Sequence, residues 1–402
     1  MPTDITDFHQ IIERKLDRIL NDIDFLKQRT SAYLGRNEAL TFLADETPIF
    51  VNTDDFGCPL NFINGGMYEE DYFRVFQSFR APNLPMLDIG ANLGVYSIRM
   101  ASMRTGPIHA FEPIPRIRNL FGRSIFLNGF SERVTIHPFA VSDSAGKARL
   151  SIPGEHAGGA TLEAEAADGA SVEVDVKRLD DLFDSDFRCG LVKLDVEGHE
   201  LHALRGMRNI LSRSSEAVLM FEKLAANSGL EGELLSYFEE LGWSLFHING
   251  RHLRECDLAA FKNTGGYFIA TRKSIVERDG YDRDFFHIYP SDLNILEGSL
   301  SENSWRINST SDGGNVLVHG PYWWLPRGYY RLTIEGSLNS QIRLEVCEKF
   351  GYKVTEIELQ DGNLQAEFAV YRDLTKFEIV LRAIDKNPVV ASMHKATFRR
   401  LG

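Results

Sequence analysis

The sequence predicts an α/β domain on a mostly parallel sheet, preceded by an N-terminal helix and followed by an all-β sandwich. Three observations predict it. Apolar residues recur at steps of four and three near the N-terminus. Short apolar strands alternate with helical segments from Pro85 to Thr271. After Tyr281 the helical period stops and period-two alternation takes over.

In residues 5–34, Ile12, Leu16, Ile19, Ile23 and Leu26 form a heptad-like stripe with charged residues between them. The stripe fits either a helix packed on its own domain or one through which the chain forms a homo-oligomer. Residues 40–80 connect it to the next block. Asn52 to Gly66 is rich in Asn, Asp and Gly and reads as loops, and Tyr68–Phe79 returns to helical spacing.

Seven strands are expected in the α/β block: Met86–Ile89, Ile108–Phe111, Val134–Phe139, Leu191–Val196, Ala217–Phe221, Trp243–Ile248 and Tyr267–Thr271. Helices are expected up to Met103, over Ile114–Leu127, from His199 to Leu211 and over Glu231–Leu241. Such alternation implies crossover connections and parallel pairing. Between Ser142 and Val176, the runs Arg149–Ile152 and Val172–Val176 read as a hairpin insertion. In the last third, Val316–Val318, Tyr329–Ile334, Ile342–Val346, Ile357–Leu359, Ala366–Val370 and Phe377–Leu381 read as strands. The expected division is residues 1–35, 36–274 and 275–402.

The chain has 402 residues with 43% hydrophobic and 25% charged, an ordinary globular composition that supports two or three domains. No run approaches the roughly 18 apolar residues of a membrane span. The N-terminus lacks the apolar core of a secretion signal. The net charge of −13 disfavours nucleic acid and anionic membranes as partners. Cys58, Cys189, Cys256 and Cys347 form no CxxC pair, which fits a reducing, cytoplasmic setting.

The most informative stretch is Leu87-Asp88-Ile89-Gly90-Ala91-Asn92-Leu93-Gly94-Val95-Tyr96-Ser97. A strand ends in an acid, and a glycine turn opens a helix, so a ligand can approach the backbone. A second strand ends at Glu112, where a carboxylate can accept both hydroxyls of a ribose. The glycine spacing is GxxxG. It is neither the dinucleotide GxGxxG nor the phosphate loop GxxxxGK[ST]. The DxGxNxG pattern resembles motif I of S-adenosylmethionine-dependent methyltransferases.

Further segments narrow the resemblance. They are Gly66-Met67-Tyr68-Glu69-Glu70, Phe111-Glu112-Pro113, Phe139-Ala140-Val141-Ser142-Asp143 and Val192-Lys193-Leu194-Asp195-Val196-Glu197-Gly198-His199-Glu200. Together these resemble the FkbM family of O-methyltransferases over roughly residues 65–271. Glu70 stands where the family often has proline. The resemblance implies the methyltransferase-type seven-stranded sheet, with S-adenosyl-L-methionine as cofactor and a sugar or glycan hydroxyl as acceptor, as in polysaccharide biosynthesis. It implies cofactor contacts from Glu69, Asp88, Gly90, Ala91, Asn92, Gly94, Tyr96, Ser97, Glu112, Pro113, Ser142 and Asp195.

A sugar hydroxyl is a poor nucleophile, so a general base should take its proton. Asp195, Glu197 and His199 follow a buried strand, and Glu222 ends the next one. His199 ranks first as base, because an imidazole accepts a proton near neutral pH. Asp195 would orient the acceptor or the base. The alternative is that His199 is a solvated residue at a helix start. Glu222 either contacts the acceptor or pairs with Lys223 at the surface. His199-Glu200-Leu201-His202 is not the HExxH zinc pattern, and no metal is expected; magnesium on Asp195, Glu197 and Glu222 is the minority reading.

The C-terminal run from Gly320 to Arg331 holds four aromatics between Tyr322 and Tyr330. It reads as core and corner residues or as a carbohydrate-recognition surface, and it resembles β-sandwich segments attached to glycan-building enzymes. Two competing functions remain: a nicotinamide-dependent sugar oxidoreductase, against which the GxxxG loop counts, and a non-catalytic glycan-binding scaffold.

Overall fold

The structure is a computed structural model. It describes residues 31–401 apart from short stretches, the longest being 163–169. The heptad stripe of Ile12 to Leu26 lies outside the described residues. The described chain divides into compact units at Tyr281/Asp282.

The first unit opens with an antiparallel meander of β1 (Ala32–Gly35), β2 (Glu38–Phe42) and β3 (Pro48–Asn52). The expected helix therefore does not continue to residue 34. Gly35, Arg36 and Asn37 take positive φ (84°, 54° and 59°) and reverse the chain between β1 and β2. Two short helices follow, α1 (Cys58–Gly65) and α2 (Glu70–Ser78). The first corrects the expectation of loops up to Gly66. Pro59 lies within the first two positions of α1, where its missing N–H costs nothing.

The central sheet contains β4 (Met86–Ile89), β5 (Ile108–Phe111), β6 (Val134–His137), β10 (Leu191–Leu194), β11 (Val218–Lys223), β12 (Ser244–Asn249), β13 (His252–Glu255) and β14 (Gly266–Thr271). The order is β13-β12-β14-β11-β10-β4-β5-β6. Seven of these are the expected strands. The eighth, β13, is an antiparallel edge strand whose Leu253 pairs with Ile248. β4, β5, β6, β10 and β11 run parallel, and β14 runs antiparallel to β11. The chain leaves β4 toward β5 on one side and returns to β10 on the other. The crevice at the carboxyl ends of β4 and β10 is therefore the topological switch point, where ligands collect in such sheets.

Helix α3 (Val95–Met103) follows β4 and α4 (Pro115–Leu127) follows β5. The inner strands are buried on both faces and are accordingly apolar apart from one charged residue each, Asp88 in β4 and Lys193 in β10. The segment from His199 to Leu211 is two short helices, α5 (Glu200–Gly206) and α6 (Arg208–Arg213), broken at Met207 (φ −126°). Gly206 lies there against Ser142, whose carbonyl oxygen would be 1.9 Å from a Cβ. The insertion forms β7 (Ala140–Val141), β8 (Gly146–Ile152) and β9 (Ala170–Lys177), with β8 and β9 antiparallel.

The described part of the second unit is all β. One sheet comprises β15 (Phe285–Ile288), β17 (Ser299–Ser301), β18 (Ser304–Thr310), β20 (Gly328–Leu338), β23 (Gln365–Val370) and β25 (Pro388–Arg400), in the order β17-β18-β25-β20-β23 with β15 also pairing β25. The other comprises β16 (Asn294–Ile295), β19 (Val316–Leu325), β21 (Ile342–Glu348), β22 (Tyr352–Leu359) and β24 (Leu374–Ala383), in the order β16-β19-β24-β21-β22. A shared apolar core includes Trp305, Tyr330, Leu332, Leu344, Phe377 and Phe398, so the two sheets form a sandwich. β15 (Phe285–Ile288) through β18 (Ser304–Thr310), and the long β25 (Pro388–Arg400), were not apparent from the sequence alternation. Leu325, Tyr330 and Leu332 lie in the core, whereas Tyr329 is exposed.

Candidate active site

An open cleft, about 1090 Å³ including its mouth, lies at the switch point. One end is apolar, formed by Phe111, Pro113, Ile114, Ala140 and Val141 together with Leu150, Ala160 and Leu162 of the insertion. The insertion is tied across the site by Thr161 Oγ1, which donates to the Glu197 carbonyl at 2.8 Å.

Glu112, at the end of β5, borders that apolar end. Its Oε2 accepts from Asn92 N at 2.9 Å and its Oε1 from Ile114 N at 2.7 Å. Burial pushes its carboxyl up to about 7, against those two hydrogen bonds. Gly90 and Asn92 both take positive φ, 76° and 50°. A Cβ on Gly90 would sit 1.8 Å from the Asp195 carbonyl oxygen, so only glycine allows the first loop to lie against the loop after β10.

Asp88 is placed differently from the sequence reading. It is fully buried and is not on the cleft wall. Its Oδ2 accepts from Ser97 N at 3.1 Å and Ser97 Oγ at 2.6 Å, pinning the first turn of α3. Its Oδ1 accepts no hydrogen bond from any described residue, and burial raises its pKa. Gly94, Ser97 and Ser142 also lie off the wall, whereas Glu69, Gly90, Ala91, Asn92, Tyr96, Glu112, Pro113 and Asp195 are on it.

The other end of the cleft is acidic. Asp195, Glu197, His199 and Glu222 all line it. One carboxylate oxygen from each of Asp195, Glu197 and Glu222 can be chosen so that all three lie within 4.8 Å of one another. At that spacing they repel unless a cation or a proton sits among them. Burial first, then Asp195, Glu197 and Glu69, push Glu222 up to about 8. Glu197 is held at φ 51°, and the following Gly198 at φ 98°. Glu200 Oε1 accepts from Val196 N and Gly198 N at 3.3 and 3.2 Å and braces this turn.

His199 is buried, and its Nε2 lies 2.8 Å from Ser142 Oγ. Its ring stacks on His202, whose Nδ1 is 2.8 Å from Asp143 Oδ2. It is therefore not a solvated helix-start residue.

Sequence reasoning missed Lys193 and Tyr267. Lys193 Nζ donates to the Gly90 carbonyl at 2.9 Å and pairs with Asp195 Oδ2 at 3.0 Å. Burial opposes its charge, but Asp195, Asp88 and Glu69 outweigh that and raise its pKa. Tyr267 Oη lies 2.8 Å from Glu69 Oε1 and 3.1 Å from Asp195 Oδ2, one hydroxyl facing two carboxylates. Tyr96 Oη donates to Glu69 Oε2 at 3.0 Å. Glu69 itself is αL (φ 53°) and caps α2. A lysine two residues before Asp195, on a strand buried on both faces, was the available signal for Lys193. Tyr267 had none, because it arrives from the last strand, opposite Glu222. At Glu70 the departure from proline has a use: its carboxylate receives Arg99 Nη1 and Nη2 at 2.9 and 3.0 Å, linking α2 to α3.

A glycine-turned strand end, a carboxylate at the end of the next strand and an acidic pocket at the switch point are arranged as in nucleoside-binding α/β folds. The profile of the Methyltransferase FkbM domain matches residues 88–245. The methyltransferase sdnD of Sordaria araneosa is 33% identical, over 31% of this chain and 62% of its own length. The chain thus spans under two thirds of that relative. Among solved structures, a SAM-dependent methyltransferase from Geobacter sulfurreducens with S-adenosyl-L-homocysteine is 12% identical. It covers 45% of this chain and 66% of its own, with a TM-score of 0.28. Precorrin-6y C5,15-methyltransferase from Geobacter metallireducens is 17% identical, covering 50% and 85%, with a TM-score of 0.29.

Proposed function

We propose that the protein transfers a methyl group from S-adenosyl-L-methionine to a hydroxyl of a sugar in a glycan or glycoconjugate. The observation that carries this reading is the acidic corner of Asp195, Glu197 and Glu222 at the opposite end of the cleft from the apolar slot and Glu112. The cofactor supplies an electrophilic methyl on a sulfonium. The residues present fit it: Gly90 leaves the backbone bare beside the Asp195 loop, and the Glu112 carboxylate lines the cleft at the end of β5.

The apolar slot takes the adenine, and Glu112 accepts the ribose hydroxyls. Glu69, held by Tyr96 and Tyr267, faces the amino-acid end. Methyl transfer needs the acceptor oxygen aligned and relieved of its proton. The His199 Nε2 is engaged by Ser142, so the base role passes to the carboxylates. Glu222 takes the proton, since a carboxyl poised near 8 matches the working pH. Asp195, fixed through one oxygen by Lys193 and Tyr267, positions the acceptor with the other. His199 holds Ser142 and the insertion in place. A sugar ring offers neighbouring hydroxyls as donors to these carboxylates and brings no anion to repel them.

The test is mass spectrometry of purified oligosaccharides incubated with the protein and methyl-labelled cofactor. A gain of one labelled methyl on oxygen supports the reading. Transfer to nitrogen or carbon, or to none of a broad sugar panel, rejects it. Activity lost on chelation and restored by magnesium would assign the acidic corner to a divalent ion.

A further inference from the structure

The aromatic run that ends at Arg331 supplies no described residue to the cleft, and β20 divides it. Tyr330 is 1% exposed and sits in the core of the sandwich, whereas Tyr329 is 43% exposed. Successive residues of a strand face opposite sides, so Tyr329 and Arg331 share the outer face of their sheet. Among the described residues of the sandwich, the exposed large apolar side chains are Tyr329, Tyr371 and Leu401. All three fall at one corner of that sheet. Leu401 N donates to the Tyr329 carbonyl at 2.7 Å, one residue past the end of β25. On the other side Ala369 of β23 pairs with Tyr329, and Tyr371 stands two places beyond Ala369, at the period of the strand.

Charged groups border the corner. Glu367, opposite Arg331, accepts from Tyr329 Oη at 3.0 Å through Oε2 and from Arg331 Nε at 2.8 Å through Oε1. Those two hydrogen bonds, Arg331 first, hold the carboxyl below its ordinary range, so it is a charged acceptor at neutral pH. They also tether the Tyr329 ring before any ligand arrives, which lowers the entropy cost of using it. Arg399 pairs with Arg331 from β25 and is exposed.

We propose that this corner is a carbohydrate-binding platform. A pyranose lays its C–H face on the Tyr329 ring, while its hydroxyls bond to Glu367 and to the guanidinium groups of Arg331 and Arg399. Tyr371 takes a second unit of the same glycan. A sugar ring is apolar on its faces and polar at its rim, and the corner matches it with an aromatic face bordered by donors and an acceptor. A stable protein partner engages about 20–30 residues a side, far more than three apolar side chains beside an ion pair. A polyanion would meet the Glu367 carboxylate. The platform goes beyond the glycan reading of the acceptor by adding a contact outside the cleft, and its test needs neither cofactor nor methyl transfer.

The experiment is native electrophoresis of the full chain through gels cast with soluble β-glucan, xylan, galactomannan or dextran, and through plain gels. Tyr329→Ala and Tyr371→Ala are run beside the unaltered protein. Both side chains are exposed, so the variants should keep its melting temperature. At least one glycan should retard the unaltered protein, and each alanine should raise the apparent dissociation constant about fivefold or more. Retardation by none of the four glycans overturns the inference. So does retardation that survives unchanged in the double alanine variant, which would put glycan binding elsewhere on the chain. A lower mass of that variant in light scattering would overturn it too, by making the corner a contact between copies of this chain. Methyl transfer to short oligosaccharides is read separately. Its failure with retardation intact counts against the methyltransferase reading alone, and loss of retardation with methyl transfer intact counts against the platform alone.

Discussion

Glu112 is a buried carboxylate and Glu222 a half-buried one, and their surroundings give them different work. Glu112 spends both oxygens on backbone N–H groups, of Asn92 and Ile114, and is fixed in place. Glu112→Ala removes the ribose acceptor and orphans both donors, so cofactor affinity should fall by about 1–3 kcal/mol, as calorimetry would show. Glu222 is instead pushed up to about 8 by burial and by neighbouring carboxylates. As the base it must be ionised, so turnover should rise about tenfold per pH unit below 8 and level off above it. A pH–rate profile checks this, and Glu222→Gln should lower the plateau by about 10²–10⁴-fold. A flat profile between pH 6 and 9 would remove Glu222 from the base role. At this scale the sequence was legible where a motif fixes the backbone, as at Gly90. It was less legible where a side chain has a choice of partner. Asp88 ends its strand as expected, but it turns inward to Ser97, and His199 turns to Ser142. Residue order does not say which way a strand-end side chain points.

Strands buried on both faces were the easiest elements to read, because short, mostly apolar runs such as Leu191–Leu194, interrupted only by Lys193, belong in a covered sheet. The meander of β1 to β3 was missed because its turn uses Arg36 and Asn37 at positive φ, with no glycine between the strands except Gly35 at the end of β1. β5 and β6 carry a feature their periodicity does not reveal. His109 Nδ1 and His137 Nε2 lie 3.2 Å apart, and His137 stacks on Phe111 with ring centroids 4.7 Å apart. Phe183 and Phe187 meet His109 edge-on. Burial, with His109 and Lys177 nearby, pushes His137 down to about 4, and burial lowers His109. The folded state thus binds fewer protons than the unfolded chain, whose histidines titrate near 6.5. The stability contributed by the neutral pair is complete above pH 6.5 and is lost progressively as pH falls toward about 4. Melting temperature measured across that window should decline, and His137→Phe should flatten much of the slope. An equal slope in the variant would place the acid sensitivity elsewhere.

At the level of the whole molecule, composition and the change of period near Tyr281 anticipated separate α/β and β parts. Each has its own core: Leu194, Phe221 and Phe268 belong to one, and Trp305, Leu344 and Phe398 to another. The strand β18 was less legible, because it reads Ser-Trp-Arg-Ile-Asn-Ser-Thr and its buried Trp305 stands among mostly polar residues. Among the described residues, those lining the cleft all belong to the Arg29–Tyr281 unit. A ligand that binds there stabilises the native form of that unit by RT ln(1 + [L]/Kd), about 2.7 kcal/mol at a hundredfold excess over Kd. The sandwich, with its own core and no residue in the cleft, gains nothing directly from that binding. Differential scanning calorimetry should therefore resolve two transitions, and S-adenosylhomocysteine should raise one of them by several degrees while leaving the other in place. Gly90→Ala supplies the control. Its Cβ would overlap the Asp195 carbonyl at 1.8 Å, and its φ of 76° strains any residue but glycine. The ligand-induced shift should vanish in that variant while the unmoved transition keeps its temperature. A single cooperative transition that moves as a whole with ligand would show instead that the two units unfold together.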